Sequence, residues 1–156
     1  MPTPDQPTLF CYDGSEESRR ALGSVAGMLT SRAAVVLTVW QPLTARLTET
    51  GGFGAFALED ETEVDEGERD AARGAAEDGA ARARSIGIDA EARVEEANGP
   101  VWQRIIAVAD ELDAGLIVCG TRGRGAIRTA LLGSTSHALL QHAGRPILIS
   151  PEPRDG

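Results

Sequence analysis

Short, densely apolar runs alternate along the chain with longer stretches in which apolar side chains recur every three or four positions. Residues 8–12 (TLFCY) form the first run, stopped by Asp13-Gly14-Ser15. Over residues 16–30, Ala21, Leu22, Val25, Met28 and Leu29 fall on one stripe, which predicts an amphipathic helix. Residues 33–40 (AAVVLTVW) are β-branched and continuously apolar, as a strand covered on both faces should be. Residues 41–58, with Pro42, Gly51, Gly52 and Gly54, read as a loop. The acidic run 59–70 leads into an alanine- and arginine-rich stretch ending near Ser85. It predicts a long exposed helix, weakened by Gly67, Gly74 and Gly79.

The second half continues the pattern. Residues 88–95 (IDAEARVE) alternate as an edge-side strand does. Asn98-Gly99-Pro100 opens a helix with Val101, Ile105, Val108 and Leu112 inward, and residues 115–119 (GLIVC) form a buried strand. A short helix over 134–142 and a last strand over 146–150 (PILIS) complete the order β-α-β-α-β-α-β-α-β. Strands alternating with helices predict the α/β class, with a parallel sheet covered on both faces.

At 156 residues, 42% of them hydrophobic, the chain fits one domain with a real core. Residues 1–7 are polar and proline-rich and predict a frayed tail rather than a signal peptide. The domain is placed at 8–151, with a short second tail at 152–156. No apolar run approaches the ~20 residues of a membrane span, so the expectation is a cytoplasmic protein without a membrane partner.

Charge refines this. The net charge is −9, and residues 59–70 alone hold eight acids and one arginine. Such crowding repels itself and any phosphate, so residues 42–70 are expected to be mobile. Residues 114–151, by contrast, contain no Asp or Glu but carry Arg122, Arg124, Arg128 and Arg145. A basic, glycine-rich stretch in an acidic chain suggests a local anion site, not the broad positive face of a nucleic-acid binder. All fifteen basic residues are arginine, which excludes a P-loop lysine and Schiff-base chemistry. Cys11 and Cys119 make neither a disulfide framework nor a metal site. They read as small buried hydrophobes, with a redox-linked pair left open should their strands be neighbours.

In open parallel sheets, ligands bind beyond the carboxyl ends of the strands, where strand order reverses. Asp13 follows the first strand, Val39 and Trp40 close the second, and Gly120-Thr121-Arg122-Gly123-Arg124-Gly125 follows the fourth. Gly133-Ser134-Thr135-Ser136 then opens a helix. Gly120 and Gly123 permit close backbone approach, and a helix N-terminus at Gly133-Ser134 offers N–H groups to an anion. Together they outline a phosphate cradle built mostly from main-chain donors. Each part also has a plainer reading. Gly133 and Ser134 can simply turn and cap a helix, the arginines can solvate a loop, and Asp13 can close an Asx turn. The Walker pattern is absent, and the first strand is followed by a single glycine rather than a Rossmann fingerprint.

The spacing Gly120-x2-Gly123-x9-Gly133-Ser134 matches at every defined position the nucleotide motif of the universal stress protein family. Residues 11–18 (CYDGSEES) resemble the family's first strand and loop, and Arg145-Pro146-Ile147-Leu148-Ile149 its final strand. The resemblance implies an adenine nucleotide alpha hydrolase-like fold, an open five-stranded sheet in the order 3-2-1-4-5. It also implies ATP as ligand, with Mg2+ as a companion ion left open, and a homodimer through residues 146–150. By position, Asp13 resembles the ribose-binding aspartate, Val39 the residue whose backbone meets adenine, and Gly120 the ribose-side glycine. Gly123, Gly133, Ser134 and Thr135 resemble the phosphate-contacting set, with Ser136 close by. Cys11, Tyr12, Cys119, Thr121, Arg122 and Arg124 complete the expected nucleotide-binding set, the two arginines as candidate phosphate clamps. Between Asp113 and Glu152 there is no carboxylate to hold a metal or orient a nucleophile, and His137 and His142 read as surface or packing residues. The expectation is therefore a nucleotide-responsive regulatory module. A dimeric scaffold with a vestigial anion site and a slow ATPase stand as alternatives.

Overall fold

A computed structural model describes residues 2–51, 61–121 and 132–151. The elements follow in the order β1 (Thr8–Cys11), α1 (Glu16–Val25), β2 (Ala33–Trp40), α2 (Leu43–Glu49), α3 (Glu61–Ser85), β3 (Asp89–Glu96), α4 (Val101–Glu111), β4 (Leu116–Gly120), α5 (Ser134–His142) and β5 (Ile147–Ser150). A single 3-10 turn, Ala26–Met28, follows α1. All strand pairs are parallel, and the sheet order is β3-β2-β1-β4-β5, the order expected.

Alternate residues of each central strand supply two cores. Phe10, Val36 and Val118 face α1 and α3, where Leu22, Val25, Ala80 and Ala83 meet them. Leu9, Leu37 and Ile117 face the other way, against Ile105 and Val108 of α4 and Leu139 of α5. This two-sided burial is why these strands read as continuous apolar runs. At one edge, β3 alternates and carries charge. Arg93 donates from Nε to Glu95 at 2.7 Å, and Glu95 also pairs with Arg104 of α4. Such pairing blunts a free edge. The opposite edge, β5, has the sequence ILIS, with Ile147, Leu148 and Ile149 only half-buried.

α3 is 25 residues long and buries only small side chains: Ala72, Ala76, Gly79, Ala80 and Ala83. This face lets it lie close on the sheet. A Cβ built on Gly79 would stand 2.7 Å from Val36 Cγ1 and 2.9 Å from the Tyr12 ring. Gly67 and Gly74 have nothing within 4 Å and contribute no such contact.

Two expectations need correction, the loop over 41–58 and the inward Met28. The stretch 41–58, read as a loop, begins with α2; residues 52–60 lie outside the described ones. The acids from Glu61 onward are helical and find partners. Asp65 Oδ1 accepts from the Leu43 N–H at the start of α2 at 2.8 Å, and Glu68 pairs with Arg46 at 3.6 Å. Arg69 stacks over Trp40 at 5.1 Å. Glu61 and Glu63 stand in the first turn, where the helix dipole favours acids. The N-terminal segment touches the body of the domain. Gln6 N–H bonds Thr3 O, the Gln6 side chain reaches Asp113 at 3.2 Å, and Gly115 N–H bonds Pro7 O. Met28, placed on the inward stripe of the first helix, is 71% exposed, because α1 ends at Val25 and the 3-10 turn rotates it outward.

Candidate functional site

The chain leaves β1 into α1 on one face of the sheet and leaves β4 into α5 on the other, and β1 and β4 are neighbours. Between two adjacent strands whose connections part in this way, a crevice opens above their carboxyl ends. The topology therefore brings together the end of β1 (Cys11, Tyr12, Asp13), the end of β4 (Cys119, Gly120, Thr121) and the N-terminus of α5 (Gly133, Ser134, Thr135, Ser136). Val39 is the next-to-last residue of the neighbouring strand β2.

The β1 side is firmly held. Tyr12 N–H bonds Leu37 O at 2.8 Å, and the buried Thr38 hydroxyl donates to Tyr12 O at 2.7 Å. The Tyr12 hydroxyl donates to Asp78 Oδ2 of α3 at 2.6 Å, and Arg82 Nε pairs with the same oxygen at 2.9 Å. Burial and this bond push the Tyr12 phenol above its usual range, while the Tyr12 and Arg82 bonds hold Asp78 below its own. Asp13 Oδ1 accepts from Ser15 N–H at 2.9 Å, the Asx turn anticipated as its plainer role, and Gly14 takes φ +80° in the bend. Ser15 then caps α1, accepting from Ser18 N–H.

The β4 side is tied to α5. The buried Ser136 hydroxyl donates to Gly120 O at 2.9 Å, and the Cys119 thiol lies 3.9 Å from Ser136 Oγ. Gly133 N–H bonds Thr121 O at 2.6 Å. This corrects the expectation of a bare Gly133 amide: the first donor of the cradle is spent on clasping Thr121. Gly133 is the N-cap of α5 and supplies no side-chain acceptor to the helix. The amides of Ser134, Thr135 and Ser136, which an α-helix cannot pair internally, follow directly. Ser134 is exposed and Thr135 half-buried. Arg122, Gly123 and Arg124 lie outside the described residues.

Gly120 has a second reason to be glycine. A Cβ there would come within 3.2 Å of Glu17 Cβ and 3.4 Å of the Glu17 carbonyl carbon, so α1 packs where a side chain would project. Val39 is half-buried beside the α4/α5 core, and Trp40 turns to the opposite face. Sequence reasoning missed Thr38, Asp78 and Glu17. Thr38 left a signal, being the single hydroxyl in an otherwise apolar strand. Asp78 showed only its i,i+4 spacing to Arg82, and Glu17 nothing, since Tyr12 and Gly120 lie far off in sequence. Among the described residues no group of three His, Cys, Asp or Glu is gathered to hold a metal, and no helix is long and apolar enough to cross a membrane.

A model of the Universal stress protein family matches residues 6–151. The chain belongs to the universal stress protein family. A universal stress protein of Mycobacterium tuberculosis is 34% identical over 73 residues, 47% of this chain and 22% of that protein. The matched stretch thus spans about a fifth of that relative. Universal stress protein UspA from Lactobacillus plantarum has the same fold, with TM-score 0.74 and 17% identity over 92% of this chain and 96% of that one. The universal stress protein from Archaeoglobus fulgidus in complex with dAMP has TM-score 0.59 and 21% identity, covering 94% and 98%.

Proposed function

We propose that this universal stress protein binds ATP, or a close adenine nucleotide, in the crevice between β1 and β4 and acts as a nucleotide-responsive regulatory module. The observation that carries the reading is the N-terminus of α5. It opens at the β4 end of the crevice, is preceded by a glycine that gives it no side-chain cap, and so offers main-chain donors and a favourable dipole to phosphate. Asp13 and Gly120 stand at the ribose end and Val39 at the adenine end, with Gly123, Ser134 and Thr135 on the phosphates. The dAMP complex of the Archaeoglobus relative agrees with this ligand class. Mg2+ would arrive with the phosphates, since the described residues gather no carboxylate set to hold it.

The reading includes self-association through β5. The charged, cross-linked β3 edge is unsuited to strand addition, whereas ILIS presents half-buried aliphatic side chains at an open edge.

Calorimetry and thermal shift with ATP, ADP, AMP and cyclic AMP test the ligand. At a hundredfold excess over Kd, binding adds about 2.7 kcal/mol, which for a chain of this size raises Tm by roughly 5–11 °C. Gly123→Val should abolish most of the heat by blocking backbone approach. Silence with all four nucleotides, or full affinity in Gly123→Val, refutes the site.

A further inference from the structure

The crevice floor contains the two thiols of the chain, and both are free. Leu9 pairs with Ile117 and Phe10 with Val118, so one step further in the same register sets Cys11 beside Cys119. Both lie on the α4/α5 side of the sheet, in one cluster with Leu9, Leu37 and Ile117. Neighbouring strands run about 4.8 Å apart, inside the Cα separation of about 4.4–6.8 Å that a disulfide bridges. The two residues sit differently in their strands. Cys119 is 5% exposed and lies against Ser136, while Cys11 is half-buried at the end of the strand that leads into Asp13.

We propose that Cys11 and Cys119 form a disulfide on exposure to hydrogen peroxide, and that this bond across the crevice floor lowers affinity for the nucleotide. The first half stands on the strand register alone; the second rests on the function proposed above. Cys11 attacks one peroxide oxygen. The O–O bond breaks, the thiol proton leaves with the second oxygen as water, and Cys11 becomes a sulfenic acid. The Cys119 sulfur then displaces that oxygen: the S–S bond forms, the S–O bond breaks, and the Cys119 proton leaves in a second water. Two thiols give two electrons to one peroxide. Burial, then the charges of Cys119 and Asp13, push the Cys11 thiol well above its ordinary range, so the attack is slow at neutral pH and answers sustained rather than brief oxidant.

A disulfide wants its Cβ atoms about 3.5–4.5 Å apart, closer than strand spacing provides. Forming it draws the ends of β1 and β4 together and carries Asp13 and Gly120 with them. By reciprocity, a nucleotide seated in the crevice slows the oxidation.

The test uses the native chain treated with hydrogen peroxide. Intact mass should fall by two hydrogens, digestion should yield one peptide pair joined through Cys11 and Cys119, and dithiothreitol should reverse both. Cys11→Ser and Cys119→Ser should each prevent the loss; the half-buried Cys11 variant serves if the buried one misfolds. Two persistently free thiols, oxidation that stops at sulfinic acid, or a link only between chains overturns the pair. In calorimetry the oxidised chain should bind ATP at least tenfold more weakly and recover on reduction. Unchanged affinity overturns the coupling. If the reduced chain binds no adenine nucleotide, the proposed function fails while the mass measurement still decides the disulfide.

Discussion

The same substitution at two glycines of α3 should act with opposite sign. Alanine in a helix interior is favoured over glycine by about 1 kcal/mol. At Gly74, where a new Cβ meets nothing within 4 Å, Gly74→Ala should therefore gain that amount. At Gly79 the new Cβ falls 2.7 Å from Val36 Cγ1 and 2.9 Å from two carbons of the Tyr12 ring. Carbon atoms rest about 3.5–4.0 Å apart, so the helix or the ring must move by about 1 Å. The ring cannot easily yield, because its hydroxyl is bonded to Asp78 and its carbonyl to Thr38. Overpacking of this kind costs about 1–3 kcal/mol, so Gly79→Ala should lose up to about 2 kcal/mol after its propensity gain. Propensity cancels between the two variants, and their separation is the overpacking cost alone. In thermal unfolding followed by circular dichroism they should differ by roughly 2–12 °C. Equal Tm values would show that α3 does not lie against β1 and β2 as closely as described.

Three further outcomes are open to measurement. Tyr12 is the chain's one tyrosine, so its ionisation is read directly by ultraviolet titration. Asp78→Asn should lower that pKa, though burial keeps it above the usual value; and because the folded phenol titrates late, its stabilising share is complete below the ordinary tyrosine pKa and fades as pH rises through the folded one. Thr38→Val leaves the buried Tyr12 carbonyl without its 2.7 Å partner and should cost about 1–3 kcal/mol in urea unfolding; nucleotide affinity should drop with it, since Asp13 follows directly. Leu148→Lys should shift the protein toward monomer in sedimentation, and an unaltered dimer would remove β5 as the interface.

Much of this architecture was legible in local pattern. The two-sided burial of β1, β2 and β4 produces continuous apolar runs, and the single-sided edge of β3 produces alternation, so strands and their environments announce themselves. α2 does not, because Pro42 before it and the glycines after it are loop signals; the Asp65 carboxylate that accepts from its first amide belongs to another helix. Counting like charges over residues 59–70 gives no sign of the helix that carries the acids from Glu61 onward. Repulsion is visible in sequence, whereas the partners Arg46, Leu43 N–H and the helix dipole are not. At the site, the glycine spacing located the end of β4 and the start of α5 correctly. It carried no sign that Gly133 N–H is committed to Thr121, nor that Gly120 makes room for Glu17, because both depend on how α1 and α5 dock.

The small-residue face of α3 sets the direction in which this protein can change. An interface of methyl groups holds no single bulky anchor whose loss would be ruinous, so replacing one alanine by glycine costs only the helix preference of about 1 kcal/mol. Growth is another matter: with Ala76, Ala80 and Ala83 fully enclosed, any larger side chain must lift the whole helix. Sequence drift along this face is thus a one-way valve, lenient to shrinkage and closed to enlargement, and it keeps the backing of Tyr12 constant while the exposed side of α3 is free to vary.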